Sequence, residues 1–185
     1  MPNKLKFYLL FGSTMMSFVY AATSPIIQVH FISLVGPSVL AMANALSTAL
    51  AAIVNATIPV KRIKDWYRKH FAWIVVIDIS CFFLISFECL SVPEIRFLGL
   101  AILNAVSSTL WYTVIRDGIN HAIDGDALTS WDSISKSVSL GAALNGGIIA
   151  MIFVNMSVEF CIVMQCAANL IMGLSDWQAY KKLKY

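Results

Sequence analysis

Charged residues are scarce in this chain. Asp, Glu, Lys and Arg together make up 12% of its 185 residues, whereas 59% are hydrophobic. An average soluble domain is about 25% charged, so this composition excludes a soluble globular protein and indicates an integral membrane protein. A helix needs roughly 20 apolar residues to cross a bilayer, so the length allows about six spans with short loops and no additional soluble domain.

The chain also lacks the residue groupings of catalytic and metal-binding sites. His30, His70 and His121 are far apart, and no paired acids or Ser/His arrangement accompanies them. The 4 cysteines have no metal-type spacing and are interpreted as small buried hydrophobic residues. The net charge of +3 is weak evidence for a nucleic-acid partner, because basic residues in a membrane protein mainly set its topology. We therefore expect no enzyme, no metal, no cofactor and no nucleic acid.

Long apolar segments predict a single all-α membrane domain, residues 1–185, with six transmembrane helices. We place the spans at about residues 7–33, 39–59, 71–90, 97–115, 131–154 and 159–176. The first span resembles a signal peptide, but its apolar character continues past Pro25, so we expect a retained helix.

The basic residues predict the orientation of these spans. All 13 Lys and Arg except Arg96 fall on one side of the six-span arrangement. Cytoplasmic loops carry the excess of basic residues, so both termini are expected in the cytoplasm. The bilayer itself is expected to be a plasma membrane or a bacterial inner membrane.

Small residues recur at four-residue spacing in the second and fifth spans. Ala45 and Ala49 lie in the second span, and Ser137, Gly141 and Asn145 lie in the fifth. Small side chains at this spacing allow two helix backbones to approach closely, and Asn can hydrogen-bond across the contact. These positions therefore predict a helix interface, either within the chain or with a second copy of it.

Polar side chains in the first and fourth spans are candidates for lining a substrate cavity. The first span contains Gln28 and His30. One face of the fourth span carries an amide, a hydroxyl and two aromatic rings, from Asn104, Ser108, Trp111 and Tyr112. Such a set suits a small polar or amphipathic solute, while ordinary helix packing is the alternative.

Asp78 is the acid nearest the middle of a predicted span. A carboxylate at that depth costs several kcal/mol unless it is protonated or paired. We interpret Asp78 as a candidate for proton coupling, with a hydrogen bond to a Ser or Asn of a neighbouring helix as the alternative.

The basic loop at residues 60–70 carries a family resemblance. Asp65, Arg68 and Lys69 are similar to the acid and bases of the signature Gly-x-Leu-Ala-Asp-Arg-x-Gly-Arg-Arg of major facilitator superfamily transporters. The acid-to-base spacing here is one residue shorter, and both glycines are missing. With six spans and the charge bias, nearly the whole chain resembles one half of such a transporter. The resemblance implies two inverted three-helix repeats and a cytoplasmic charge network of Asp65, Arg68 and Lys69, with Arg116 as a further basic member.

The chain resembles only one of the two bundles of a facilitator, and this limits how it could transport a solute. Alternating access requires two bundles that rock around a central site, and this chain has one. The resemblance therefore implies a half-size transporter of a small solute that functions as a homodimer or with a partner chain. The alternative is a non-transporting membrane interaction protein, such as an immunity, exclusion or assembly factor, built on the same bundle.

Overall fold

The described part of the chain is helical. The computed structural model describes residues 3–57, 65, 66, 69, 70, 72, 76, 109–123, 125–152 and 155–183. Five long helices lie in these ranges: α1 (Asn3–Val35), α2 (Pro37–Thr57), α3 (Thr109–Ala122), α4 (Gly125–Ile152) and α5 (Val158–Tyr180). No β-strand occurs among the described residues. The predicted all-α class is confirmed at this level.

Three of these helices, α1, α4 and α5, are long and apolar enough to cross a membrane. The 33 residues of α1 extend over about 50 Å, more than the roughly 30 Å of a bilayer's hydrocarbon core. This agrees with the membrane protein that the composition predicts. α1 and α5 cover the predicted first and sixth spans, and α2 and α4 cover the second and fifth as far as Thr57 and Ile152. α3 includes residues 109–115 of the predicted fourth span and continues to Ala122, while most of residues 71–108 lies outside the described residues. The six-span count and the inverted repeats stay predictions.

Local sequence explains where α1 ends and where α2 and α5 begin. Gly36 has a φ of +79°, a conformation that suits glycine, and its N–H donates to the Ile32 carbonyl at 2.9 Å to close α1. Pro37 then begins α2, where its missing N–H costs no helical hydrogen bond. Ser157 caps α5 by accepting a hydrogen bond from the Phe160 N–H at 3.2 Å.

The chain divides into two compact units. The first comprises Met1–Ile27 and Ile115–Tyr185, and the second comprises Gln28–Val114. In the first unit, α1 packs against both α4 and α5. In the second, Phe31 and Ala43 are buried at 5% and 0% exposure, whereas Ala45 and Ala49 are exposed. The side of α2 that carries Ala43 is therefore its packed side.

Buried apolar side chains gather at one end of the first unit, where the start of α1, the end of α3, the start of α4 and the end of α5 meet. This core cluster consists of Leu5, Leu9, Ile119, Ile123, Trp131, Ala179 and Leu183. Leu5 and Leu183 both belong to it, so the start of α1 and the residues that follow α5 lie at the same end of the unit.

Candidate functional site

A buried polar contact joins α1 to α5 in the first unit. The Gln165 side-chain N–H₂ donates to Thr23 Oγ1 at 3.0 Å and to Ser24 Oγ at 3.2 Å. Thr23 is 2% exposed and Gln165 is 7% exposed. Amide and hydroxyl groups are costly to bury without hydrogen bonds, so this contact stabilises the pairing of the two helices.

The hydrogen-bonding pattern fixes the orientation of the Gln165 amide. Thr23 Oγ1 lies 2.7 Å from the Val19 carbonyl oxygen and uses its one hydrogen there. Thr23 must therefore accept from Gln165, and the atom facing it must be Nε2. The amide oxygen Oε1 consequently points away from Thr23.

Two polar atoms of this contact remain available. Among the described residues, no donor reaches Gln165 Oε1 and no acceptor takes the Ser24 hydroxyl hydrogen. The contact thus presents an unused acceptor and an unused donor close together, a pattern that can bind a hydroxyl or amide group.

An apolar groove of about 250 Å³ lies beside the polar contact. It is lined by α1, the end of α4, the connection before α5 and the start of α5. The lining residues are Phe18, Val19, Ala22, Thr23, Ile149, Met156, Phe160 and Met164. Thr23 belongs to both the groove and the polar contact, so the two are adjacent. Aromatic and flexible Met side chains around a few polar groups are typical of sites for small amphipathic molecules.

Two glycines set the close packing around α1. A Cβ added at Gly146 of α4 would lie 2.2 Å from the Phe18 carbonyl oxygen, and one added at Gly12 would lie 3.0 Å from Ser175 Cβ of α5. Only glycine fits at Gly146, because the obstructing atom is backbone. The Gly146 contact lies beside the groove, because Phe18 is one of the groove's lining residues.

A charged pair joins α3 to α4 in the same unit. Both guanidinium N–H₂ groups of Arg116 donate to the two carboxylate oxygens of Asp132, the bidentate geometry that Arg favours with carboxylates. The side chains are 30% and 29% exposed. Arg116 therefore has a partner within its own unit that the sequence analysis did not predict.

The other members of the predicted charge network are only partly described. Asp65 and Lys69 are exposed, and Arg68 lies outside the described residues. The network that the family resemblance implies stays a prediction.

Most of the cavity predicted from sequence lies outside the described residues. Gln28 is exposed and His30 is half-buried, both in the second unit. Trp111 and Tyr112 lie on α3, but their side chains are outside the description. Asn104, Ser108 and Asp78 also lie outside the described residues. Their roles stay predictions.

The predicted helix interface is open in the described structure. Ser133, Ser137 and Asn145 are exposed, and a Cβ added at Gly141 would meet nothing within 4 Å. Asn145 donates to the Gly141 carbonyl of its own helix at 2.8 Å. We call these four residues the open face of α4, since no described residue covers it.

The sequence shows polar residues in α1 and α5 but does not show their contact. Thr23 and Ser24 in the first span and Gln165 in the sixth are visible as polar residues inside apolar segments. Each of them needs a hydrogen-bond partner within a membrane, and that need is the signal for pairing them. Their separation of 142 residues in the chain left the partner open.

No group of three or more His, Cys, Asp or Glu that could hold a metal ion occurs among the described residues. Compared with protein-family models, curated proteins and solved structures, the chain has no significant match. The facilitator resemblance therefore depends on sequence features alone, and the geometry of the first unit is the independent argument about function.

Proposed function

We propose that this chain is a half-size facilitator-like transporter of a small amphipathic solute and works as a homodimer. The observation that carries the proposal is the unused Ser24 donor and Gln165 acceptor beside the apolar groove. Inside a membrane such polar atoms are costly without partners, so a solute with one hydroxyl, amide or carbonyl group gains affinity by pairing with them. The groove would hold the apolar part of the same solute.

The homodimer is supported by two exposed small-residue surfaces. The open face of α4 carries serine and asparagine side chains on a helix long enough to span the membrane, and Ala45 and Ala49 are exposed on α2. A second copy would cover these positions and accept hydrogen bonds that lipid cannot. In the proposed orientation, the end of the first unit that carries Lys4 and Lys181 is cytoplasmic.

Cysteine cross-linking in native membranes tests the dimer. We expect Gly141→Cys, with the four native cysteines changed to Ala, to form a covalent dimer on mild oxidation. Leu174→Cys is the matched control, because Leu174 is 44% exposed and lies on a different helix, α5. A chain that stays monomeric at low detergent and yields no cross-link would contradict the half-transporter proposal.

Efflux of a neutral dye tests the site. Nile red combines an aromatic body with a ring carbonyl that can accept from the Ser24 hydroxyl. We expect membrane vesicles containing the chain to expel it, and Ser24→Ala to slow efflux about tenfold, equivalent to roughly 1.4 kcal/mol. Ser13→Ala is the control, because the Ser13 hydroxyl donates within its own helix, to the Leu9 carbonyl at 2.9 Å. Equal rates in both variants would argue against the site.

A second candidate function is a non-transporting interaction protein, and the open face of α4 favours it. The same Gly141→Cys variant separates the two functions. Cross-linking to a different membrane protein in fixed stoichiometry, without a homodimer, would support the interaction protein. Cross-linking to a second copy together with dye efflux would support transport.

A further inference from the structure

A carboxyl group is buried in α5 at the opposite end of the first unit from the groove. Asp176 is 8% exposed. Ala179, one turn further along α5, belongs to the core cluster. Ser175, the preceding residue, is the neighbour of Gly12 in the close α1–α5 contact. Asp176 therefore lies on a packed part of the helix.

Among the described residues, no hydrogen bond or ion pair involves the Asp176 side chain. The basic residues of the surrounding helices are exposed or engaged elsewhere. On α1, Lys4 and Lys6 are exposed, and on α4 Lys136 is exposed. Arg116 of α3 binds Asp132, and Lys181 lies with its Nζ 4.0 Å from the centre of the Trp177 ring.

Other titratable groups nearby do not compensate a carboxylate either. Tyr8 of α1 packs against the core cluster. On α3, Asp117 lies 3.7 Å from His121, whose side chain is 61% exposed. On α4, Asp132 is occupied by Arg116 and Asp126 is exposed.

An ionised carboxylate buried without a counter-charge or hydrogen bonds is far less stable than the neutral acid. A proton needs no cavity of its own, because it binds directly to a carboxylate oxygen. A packed carboxyl group such as that of Asp176 can therefore hold one. The Asp176 position is four residues before the last residue of α5, so about 6 Å of helix separates it from the helix end. Water at the membrane boundary can then receive or supply the proton when the helix end loosens.

We propose that Asp176 is a proton-binding site of this protein. The carboxyl holds its proton while α5 is packed on α1 through Gly12 and Ser175. When that contact opens, the O–H bond breaks, the proton passes to water and a carboxylate remains. This site is separate from the solute site and does not depend on the proposed transport.

Infrared spectroscopy of the whole chain in lipid vesicles tests the proposal. A protonated carboxylic acid has a carbonyl band that is separate from those of carboxylates and amides and that shifts in D₂O. We expect the wild type to show this band at neutral pH. In Asp176→Asn the band should disappear, or its intensity should fall by the contribution of one carboxyl group. Glu159→Gln is the control, because Glu159 is exposed in the first turn of the same helix. A band that Asp176→Asn leaves unchanged would overturn the proposal.

The melting temperature provides a second measurement. Asn resembles a neutral acid in shape, so Asp176→Asn should melt at the wild-type temperature or above it. A loss as large as that of Asp132→Asn would indicate an ionised Asp176 with a partner, and would overturn the proposal.

Gly12→Ala tests the link to helix packing, because it places a Cβ 3.0 Å from Ser175 Cβ. We expect the infrared band to weaken in this variant and to persist in Gly147→Ala, where an added Cβ meets nothing within 4 Å. An undiminished band in Gly12→Ala would contradict the coupling of the proton to this contact.

Discussion

Gly146 and Gly141 lie five residues apart on the same helix and have opposite surroundings. The backbone of α1 touches Gly146, whereas Gly141 faces open space. Five residues turn an α-helix by about 140° from one position to the other, so the two glycines are on different sides of α4. Glycine in a membrane-spanning helix therefore marks close packing only where a partner backbone lies opposite it.

The same contrast holds for two amide side chains. Gln165 is buried and bonds across to another helix, while Asn145 is exposed and bonds to its own backbone. The polar group of Gln165 is hydrogen-bonded within the first unit. The open face of α4 presents polar and small groups that no described residue covers.

Substituting Gly146 should produce the largest effect. Gly146→Val forces side-chain atoms into the Phe18 carbonyl, which cannot move without shifting α1, so we expect a loss of about 3 kcal/mol in the free energy of unfolding. Thermal unfolding in detergent measures it. Gly147→Ala, at the next residue but in open space, should instead gain up to about 1 kcal/mol from helix propensity. If both variants lost the same free energy of unfolding, the proposed difference between the two sides of α4 would be refuted.

Replacing the buried amide should have the next largest effect. Gln165→Leu removes the hydrogen bonds to Thr23 and Ser24, and we expect it to cost about 1–2 kcal/mol. Asn145→Leu should change the stability of the monomer little, because its one described hydrogen bond is within its own helix. Chemical unfolding of the two variants under one set of conditions gives the comparison, and similar losses would show that Gln165 has no special role.

Breaking the charged pair should have a smaller effect, because both side chains are about a third exposed and water screens them. Asp132→Asn should lower the melting temperature by less than Gln165→Leu does. The decrease should shrink in high salt, and it should not add to that of Arg116→Gln. Additive decreases would mean that the two residues stabilise the bundle separately.

The smallest effect on the fold of the chain is expected on the open side. Gly141→Leu combined with Ala45→Leu should leave the melting temperature of the monomer unchanged, since both positions face away from described neighbours. Association should nevertheless be lost, because Leu prevents close approach of two backbones. Native mass spectrometry checks this, and a dimer in both the wild type and the double variant would refute the interface.

Part of this architecture could be predicted from the sequence because the bilayer sets strong one-dimensional rules. Apolar runs located α1, α2, α4 and α5, with several boundaries within four residues of the predicted ones. The largest differences are at the end of the fourth span, predicted at residue 115 whereas α3 ends at Ala122, and at the start of the fifth, predicted at residue 131 whereas α4 begins at Gly125. The polar residues at both places are helical although they lie outside the apolar runs. The polar residues predicted the boundary of a span, but the helical backbone hydrogen bonds continue through them.

The candidate site was harder to predict because its residues come from separate helices. Periodicity shows which residues share one face of a helix, but not which face meets a neighbour. In a soluble protein the apolar face of a helix points to the core. This rule is weak in a membrane protein, because apolar side chains face both lipid and protein. For this reason the sequence did not show that the small residues of the open face have no described neighbour opposite them, or that Gly146 packs against the backbone of α1.

The sequence by itself determined that this is a helical membrane protein, because a composition of 59% hydrophobic and 12% charged residues is incompatible with a water-exposed fold. It also determined which side chains require hydrogen-bond partners, since polar atoms without such partners are costly in lipid. Only the tertiary structure decided how those needs are met. It joined Gln165 to Thr23 and Ser24, joined Arg116 to Asp132, and left Asp176 without a partner among the described residues, because these outcomes depend on how helices are rotated and aligned against one another.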